Sequence, residues 1–212
     1  KNVLWLPYHI GAGCDNRCSF CVSYTFPKEF KDIDKCVDEI LELKQTYQNR
    51  YFRLVASDIF LYPDKIAELC EQLIRRKANI TWYTLACINM RTIALLVLLK
   101  EAGCHTLLYG IESGSESMLV KMRKKHTPLE ASQILTKAHA VGIKNAAYFI
   151  IGYPHEQQKD INDTIAFIRA NRAVIHFPRF TTFKLLYNSY MYHHPQEFGI
   201  ENIRQKNMFN YV

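Results

Sequence analysis

Three cysteines lie within eight residues near the start of the chain, in the segment Cys14-Asp-Asn-Arg-Cys18-Ser-Phe-Cys21. Thiolates are the usual ligands of iron–sulfur clusters. Glycines at positions 11 and 13 allow the backbone to bend tightly around a small inorganic group. Three protein ligands leave the fourth iron of a 4Fe-4S cluster open, whereas four would suit plain electron transfer. Because an open iron can bind a substrate or a cofactor, the triplet predicts a cluster that takes part in chemistry.

A structural zinc site is the alternative interpretation of these thiols. Structural zinc is four-coordinate, and His9 could supply the fourth ligand. A chance group of core cysteines is disfavoured, because Asp15, Asn16 and Arg17 make the segment polar.

The remaining cysteines lie singly inside apolar helical or strand patterns, which predicts small buried hydrophobes rather than reactive thiols. They are Cys36, Cys70, Cys87 and Cys104. The odd total of seven cysteines argues against a disulfide framework and fits a reducing compartment.

Polar residues also follow later strand-like runs. Asp58 follows the second run and Glu112 the fourth, where a carboxylate would face the mouth of a βα barrel, and Lys124 lies in the basic segment 121–126. Each also has a structural interpretation. Asp58 could cap a helix, Glu112 could be an acid favoured at a helix N-terminus, and Lys124 could belong to a solvated charged turn.

Apolar strand-like runs alternate with amphipathic helical segments along the whole chain. The predicted strands are 3–9, 52–56, 81–86, 106–111, 146–151 and 180–186. The predicted helices start at about 33, span 66–74 and 91–102, start again at 115, and span 128–142 and 160–173. This order implies parallel pairing with right-handed crossovers. A full eight-unit barrel takes about 250 residues, so we predict an α/β fold, an open partial TIM barrel of about six βα units.

The composition describes a single globular domain covering residues 1–212, with 49% hydrophobic and 22% charged residues. No segment approaches the roughly 18 apolar residues of a membrane span, and no signal peptide is visible, which predicts a cytoplasmic protein. The opening lysine suggests a fragment of a longer chain.

The net charge of +7 could attract nucleic acid, but scattered lysines explain it better, since only the segment 121–126 is densely basic and no stacking aromatics are interleaved with it.

The cysteine segment, with Phe20 before its last cysteine, resembles the signature of the radical S-adenosylmethionine (SAM) superfamily. In that family the open iron is chelated by the amino and carboxylate groups of SAM. An electron from the cluster then cleaves the sulfonium to methionine and a 5′-deoxyadenosyl radical. The resemblance covers nearly the whole chain and is strongest to the branch that carries a cobalamin-binding domain. It implies an enzyme with a 4Fe-4S cluster, SAM, a reductant such as flavodoxin or ferredoxin, and an unknown substrate that undergoes hydrogen abstraction, methyl transfer or rearrangement.

The resemblance also assigns residues around the cluster. Phe20 would pack near the adenine, and Ser57 and Asp58 would receive the SAM amino group. The segment Gly-Ile-Glu-Ser-Gly-Ser at 110–115 is similar to a family element in which Glu112 and Ser113 would contact the ribose hydroxyls or the amino group.

Two further family elements complete the predicted SAM site. Lys124 would pair with the SAM carboxylate, although Arg123 and Lys125 are close enough to compete for that role. The segment 149–156 resembles the element in which backbone groups around Ile151 meet the adenine edge and Gly152 permits close approach, with a structural glutamate at 156.

The sequence departs from the family pattern after the sixth strand. The usual Pro-Gly pair is replaced by Tyr187-Asn188, and the neighbouring His193 and His194 are interpreted as an exposed turn rather than as metal ligands. No Asp-x-His-x-x-Gly cobalamin-ligand pattern occurs in this chain, so the use of cobalamin stays open.

Two other functions remain as alternatives. A methylthiotransferase-like, RNA-modifying enzyme shares the elements after strands four and five, and the positive charge mildly favours it. A non-enzymatic electron-transfer or cluster-scaffold protein would need only the cysteines, and the additional SAM-contact motifs argue against it.

Overall fold

The computed structural model describes residues 3–203 and the backbone of residues 210–211. Its strands are β1 (Leu6–His9), β2 (Gly11–Ala12), β3 (Glu29–Phe30), β4 (Tyr51–Val55), β5 (Thr81–Ala86), β6 (Cys104–Glu112), β7 (Lys144–Ile151), β8 (Phe177–Thr182), β9 (Leu185–Leu186) and β10 (Asn210–Tyr211). Its helices are α1 (Ile33–Thr46), α2 (Pro63–Arg75), α3 (Leu96–Glu101), α4 (Glu116–Lys121), α5 (Pro128–Ala140), α6 (Gln158–Ala170) and α7 (Tyr190–His193).

Six strands form one parallel sheet in the order β1-β4-β5-β6-β7-β8. The order follows the chain, with β1 and β8 at the two edges, so the sheet is open. Because all six strands run in the same direction, the loops after them gather at one mouth. The prediction of an α/β, open partial TIM barrel of six units is confirmed.

The core lies between the sheet and its helices. In α2 the buried positions Ile66, Leu69 and Leu73 recur at helical spacing and form one apolar face. Together with the sheet residues Phe52 and Trp82, which are almost completely buried, they belong to the main core cluster. Each such side chain contributes roughly 1.5–3 kcal/mol through burial.

Two predicted elements differ from the structure. The predicted helix 91–102 is a 3-10 turn over Met90–Leu95 followed by α3, because the side chain of Asn89 accepts a hydrogen bond from the Arg91 amide and the Thr92 hydroxyl donates to the Asn89 carbonyl. The predicted strand 180–186 is instead β8, which starts at Phe177 in register with Ala146 of β7. The end of the predicted strand is the separate strand β9, which pairs with β10.

Gly103 follows the end of α3 with a φ of +94°, a conformation that favours glycine at the end of a helix. A Cβ atom there would clash with the carbonyl oxygen of Ile80. We expect Gly103→Ala to lower the free energy of unfolding by at least about 2 kcal/mol, measured by urea denaturation. Gly142→Ala is the matched control, since Gly142 also has a positive φ, of +81°, but its Cβ would meet only the end of the Lys100 side chain at ordinary distance. Equal losses in the two variants would show that the clash is unimportant.

Within residues 3–203 and 210–211, every helix is too short or too polar to cross a bilayer.

Candidate functional site

The cysteine loop lies at the mouth of the barrel, directly after β1. The strands β2 and β3 pair antiparallel and close the loop at its base. Gly13 has a φ of +79°, and a Cβ atom there would lie 2.8 Å from the Lys28 Cα. This position therefore requires glycine, which agrees with the tight bend expected from the sequence.

The three thiols of the loop lie close enough to interact electrostatically. Cys18 is buried, whereas Cys14 and Cys21 are half-buried. Burial raises the pKa of Cys18 to about 11, against the opposing effect of the nearby Lys124 ammonium, and the charges of Cys21 and Cys14 raise it further. A cation bound at this loop would therefore have to displace the Cys18 proton.

The three thiols of the triplet do not by themselves form a group of three ligand atoms within 4.8 Å of one another in the part of the chain that the structure describes. Among the described residues, the three potential ligand atoms that lie within 4.8 Å of one another belong to Cys14, Asp58 and Cys87, not to the triplet. His9 is exposed and is not part of this set. Cysteines of a cubane cluster bind separate irons and need not surround one ion, so this arrangement is compatible with the cluster.

Cys87 corrects one prediction from the sequence. Cys36, Cys70 and Cys104 are buried as expected, but Cys87 is only half-buried and lies at the mouth, one residue after β5. Its sulfur accepts a hydrogen bond from the Asn16 side-chain amide at 3.3 Å. A hydrogen bond from Cys87 in turn lowers the pKa of Cys14 to about 7. Its position directly after β5, at the same mouth as Asp58 and Glu112, was the signal that could have revealed this role.

Asp58 combines two roles. Its Oδ1 accepts hydrogen bonds from the Phe60 amide at 3.1 Å and from the Cys87 amide at 3.0 Å. The carboxylate therefore caps the 3-10 turn at Ile59–Leu61, which is the structural interpretation, and also joins the loops after β4 and β5. Ser57 lies beside it, half-buried.

Glu112 and Lys124 form an ion pair beneath the mouth. The Lys124 Nζ lies 3.4 Å from the Glu112 Oε1, and their side chains are only 8% and 12% exposed. Glu112 has a φ of +69° where the β6–β7 register shifts, and a Cβ atom at Gly110 would clash with its Oε1. The local backbone is therefore shaped to hold this carboxylate.

The charges around this pair favour a protonated lysine. Burial alone would lower the pKa of Lys124, but the negative charge of Glu112, together with smaller interactions with the Cys18 and Cys87 thiols, outweighs burial and raises that pKa. Burial raises the pKa of Glu112, and Lys124 opposes that rise.

The structure separates the three neighbouring cations of the basic segment. Arg123 lies over the Tyr190 ring at 3.5 Å from its centroid. The Lys125 Nζ donates to the Asp15 carbonyl at 3.3 Å near the surface. Of the three, Lys124 is the one buried beside Cys18.

Ser113 is held by other protein groups. Its hydroxyl lies 3.0 Å from the Thr164 hydroxyl and accepts a hydrogen bond from the Ser115 amide. Asp160 of α6 accepts hydrogen bonds from the Ser115 and Ser117 hydroxyls at 2.5 and 2.7 Å. This network, which the sequence did not reveal, fixes the turn after Glu112 against α6.

A second network holds the cysteine loop. The hydroxyl groups of Ser19 and Tyr153 lie 2.7 Å apart, so that one donates to the other, and each lies 3.2 Å from the Lys121 carbonyl, which accepts a hydrogen bond from the hydroxyl that remains free to donate. The Ser19 amide donates to the Met122 carbonyl, and the half-buried Phe20 ring packs edge-on against Tyr153 at 6.4 Å. The loop is thereby fixed to the end of α4 and to the residues after β7.

We expect Tyr153→Phe to lower the free energy of unfolding by about 1 kcal/mol, because it removes a buried hydroxyl from this network. Urea denaturation measures the change, with the exposed Tyr47→Phe as the control. An unfolding midpoint equal to that of the unaltered protein would mean that the Tyr153 hydroxyl does not hold the loop.

The mouth is open above the end of β7. Gly152 has a φ of +75°, and a Cβ atom there would meet no described atom within 4 Å. The Gly152 amide donates to the Glu156 carboxylate at 2.7 Å, which gives Glu156 the structural role expected. The carbonyl of the half-buried Ile151 accepts a hydrogen bond from the Phe183 amide at 2.8 Å.

The histidines after β8 do not gather into a metal site. His193 Nε2 lies 2.9 Å from the Asn188 side-chain oxygen, and the His194 ring stacks on Tyr190. Asn188, which replaces the second residue of the family's Pro-Gly pair, has a φ of +67°, a conformation that asparagine tolerates well.

The radical SAM superfamily model matches residues 8–168 of the chain. An uncharacterized methyltransferase of Pyrococcus horikoshii is 26% identical over 172 residues, which cover 80% of this chain and 37% of that protein. The radical SAM methyltransferase TsrM from Kitasatospora setae, solved with cobalamin and a [4Fe-4S] cluster bound, matches 91% of this chain and 37% of its own, at 17% identity and a TM-score of 0.79. The cobalamin-dependent SAM radical enzyme OxsB, solved with aqua-cobalamin and SAM bound, matches 98% of this chain and 38% of its own, at 16% identity and a TM-score of 0.83.

The chain spans less than two-fifths of the length of these proteins. The family model nevertheless matches more than half of the residues of this chain. The matched residues include the cysteine loop, Glu112 and Lys124. On this evidence the chain belongs to the radical SAM superfamily.

Proposed function

We propose that this chain is the SAM-cleaving core of a radical SAM enzyme, with a 4Fe-4S cluster held by Cys14, Cys18 and Cys21. The observation that carries the proposal is the buried Lys124–Glu112 pair next to Cys18, because an isolated electron-transfer cluster has no use for such a pair. When bound, the cluster and SAM would supply reductive cleavage of the sulfonium to a 5′-deoxyadenosyl radical.

The donor set suits the cluster. Three thiols on one glycine-containing loop leave one iron without a protein ligand, and each of the three can bind a separate iron of the cluster. The loop is fixed in place by Ser19 and Tyr153, so little ordering is needed on binding.

The ion pair suits the methionyl part of SAM, which carries one ammonium and one carboxylate. In the structure Lys124 and Glu112 satisfy each other at 3.4 Å, a long distance for a charge-assisted hydrogen bond. On binding, Lys124 would pair with the SAM carboxylate and Glu112 would accept hydrogen bonds from its amino group or from the ribose. Ser57 and Asp58 would meet the amino group from the β4 side.

The adenine would occupy the open space above β7. Gly152 leaves that space clear, and the Ile151 backbone and the Phe20 ring flank it. Ser113 would act by fixing Glu112, since its own hydroxyl is already engaged with Thr164.

The reaction that we propose is methyl transfer to an unknown substrate, in the cobalamin-associated branch of the superfamily. Support comes from the methyltransferase names of the relatives from Pyrococcus horikoshii and Kitasatospora setae, and from the cobalamin bound in TsrM and OxsB. We further propose that residues 1–212 are one radical SAM core domain of a longer protein, and that any cobalamin is held by a domain outside this chain.

A small, acidic electron carrier such as a flavodoxin or a ferredoxin would reduce the cluster, and the net charge of +7 would favour its approach. The free state of all seven cysteines suits a reducing compartment, so we place the protein in the cytoplasm.

The reaction is tested with the full-length protein containing this chain, dithionite, SAM and added cobalamin. Methyl transfer from SAM leaves S-adenosylhomocysteine, so we expect both S-adenosylhomocysteine and 5′-deoxyadenosine, with methylcobalamin visible by its absorbance. Formation of 5′-deoxyadenosine without S-adenosylhomocysteine would exclude methyl transfer and leave SAM cleavage intact.

A further inference from the structure

Cys87 lies beside the cysteine loop but belongs to no part of the cysteine motif. We infer that Cys87 is a positioning residue for the cluster, whose thiol donates a hydrogen bond to the Cys14 sulfur and thereby raises the reduction potential of the cluster. The inference rests on the proposed function, because it takes Cys14 as a cluster ligand.

The geometry brings the two sulfur atoms together. The Sγ atoms of Cys14 and Cys87 and a carboxylate oxygen of Asp58 all lie within 4.8 Å of one another. Asp58 follows β4 and Cys87 follows β5, so both residues reach Cys14 from the ends of these two strands.

Cys87 is held in this place by two further contacts. Its amide donates to the Asp58 Oδ1 at 3.0 Å, and its sulfur accepts from the Asn16 Nδ2 at 3.3 Å. Since the sulfur already accepts from Asn16, the hydrogen of the thiol is available for Cys14. Asn16 belongs to the cysteine loop itself. Its backbone amide donates to the Cys14 sulfur at 3.4 Å, so the same residue donates hydrogen bonds to both sulfur atoms.

The sign of the effect follows from charge. Reduction adds one negative charge to the cluster, and part of that charge resides on the sulfur ligands. A hydrogen-bond donor to a ligating sulfur stabilises the reduced state more than the oxidised state, which raises the potential. Removing the Cys87 thiol should therefore make the cluster harder to reduce.

The experiment is an EPR-monitored redox titration of the reconstituted protein without SAM. We expect Cys87→Ala to bind as much iron as the unaltered protein and to have a lower midpoint potential. Cys87→Ser keeps a donor and should stay close to the unaltered value, while Asn16→Ala should give a smaller downward shift. Cys70→Ala is the matched control, since its thiol is buried in the core and should leave the potential unchanged.

Two outcomes would overturn the inference. An unchanged midpoint potential in Cys87→Ala would show that no hydrogen bond from Cys87 acts on the cluster. A loss of iron in both Cys87→Ala and Cys87→Ser would show that Cys87 is itself a ligand. If the unaltered protein forms no cluster, the proposed function fails instead, and the two failures are thereby distinguished.

Discussion

Cys18→Ala is expected to abolish the iron–sulfur cluster and, with it, every turnover of SAM. Cys18 is the most buried of the three thiols and interacts electrostatically with both Lys124 and Glu112. Its loss leaves two protein ligands on the loop, and the buried methyl group that replaces it offers no donor for iron. Iron content, the brown absorbance and 5′-deoxyadenosine release should all fall to background.

The change in fold should be small, because alanine is smaller than cysteine and the hydrogen bonds of Ser19 next to it are untouched. Circular dichroism checks this point. Cys36→Ala is the control, since that thiol is buried in the main core cluster and belongs to α1 rather than to the loop, and it should retain the iron. Release of 5′-deoxyadenosine by Cys18→Ala would refute the assignment of the cluster to these cysteines.

Lys124→Met is expected to have the second large effect, on both stability and SAM binding. It leaves the Glu112 carboxylate buried without its partner, and breaking a buried ion pair in this way costs about 3–5 kcal/mol. It also removes the cation proposed for the SAM carboxylate. A charge-assisted contact worth about 3 kcal/mol corresponds to roughly a hundredfold loss of affinity.

Equilibrium dialysis of SAM against the reconstituted protein measures the affinity, and urea denaturation measures the stability. Lys125→Met is the matched control, because Lys125 is the adjacent lysine and bonds only a surface carbonyl, so its SAM affinity should match that of the unaltered protein. Lys124→Arg, which keeps the charge, should recover most of the stability. A larger loss of SAM affinity in Lys125→Met than in Lys124→Met would move the carboxylate contact to Lys125.

Local patterns predicted most of the fold. The alternation of strand-like and helical segments led to the right number of units, because each βα unit buries its own apolar face. The 3-10 turn at Met90–Leu95 was missed because the side chains of Asn89 and Thr92 compete for backbone hydrogen bonds. The start of β8 was missed because it depends on pairing with β7, which no local pattern encodes.

Some residues of the candidate site could likewise be predicted from local patterns, whereas others depend on contacts between distant parts of the sequence. Cys14, Glu112 and Gly152 lie at or shortly after the ends of strands, so their position at the mouth could be expected. Cys87, Tyr153 and Asp160 act through partners such as Asn16, Ser19 and Ser115, which lie 71, 134 and 45 positions distant in sequence. A single sequence does not reveal such pairs. The choice among three adjacent cations also needed the structure, because only burial distinguishes Lys124 from its neighbours.

The central claim, that this chain holds a cluster that cleaves SAM, is tested most directly by anaerobic reconstitution with iron and sulfide followed by dithionite and SAM. The account predicts brown protein, an EPR signal that changes when SAM is added, and 5′-deoxyadenosine in amounts that grow with time. Colourless protein that binds zinc at the cysteine loop and releases no 5′-deoxyadenosine would contradict it.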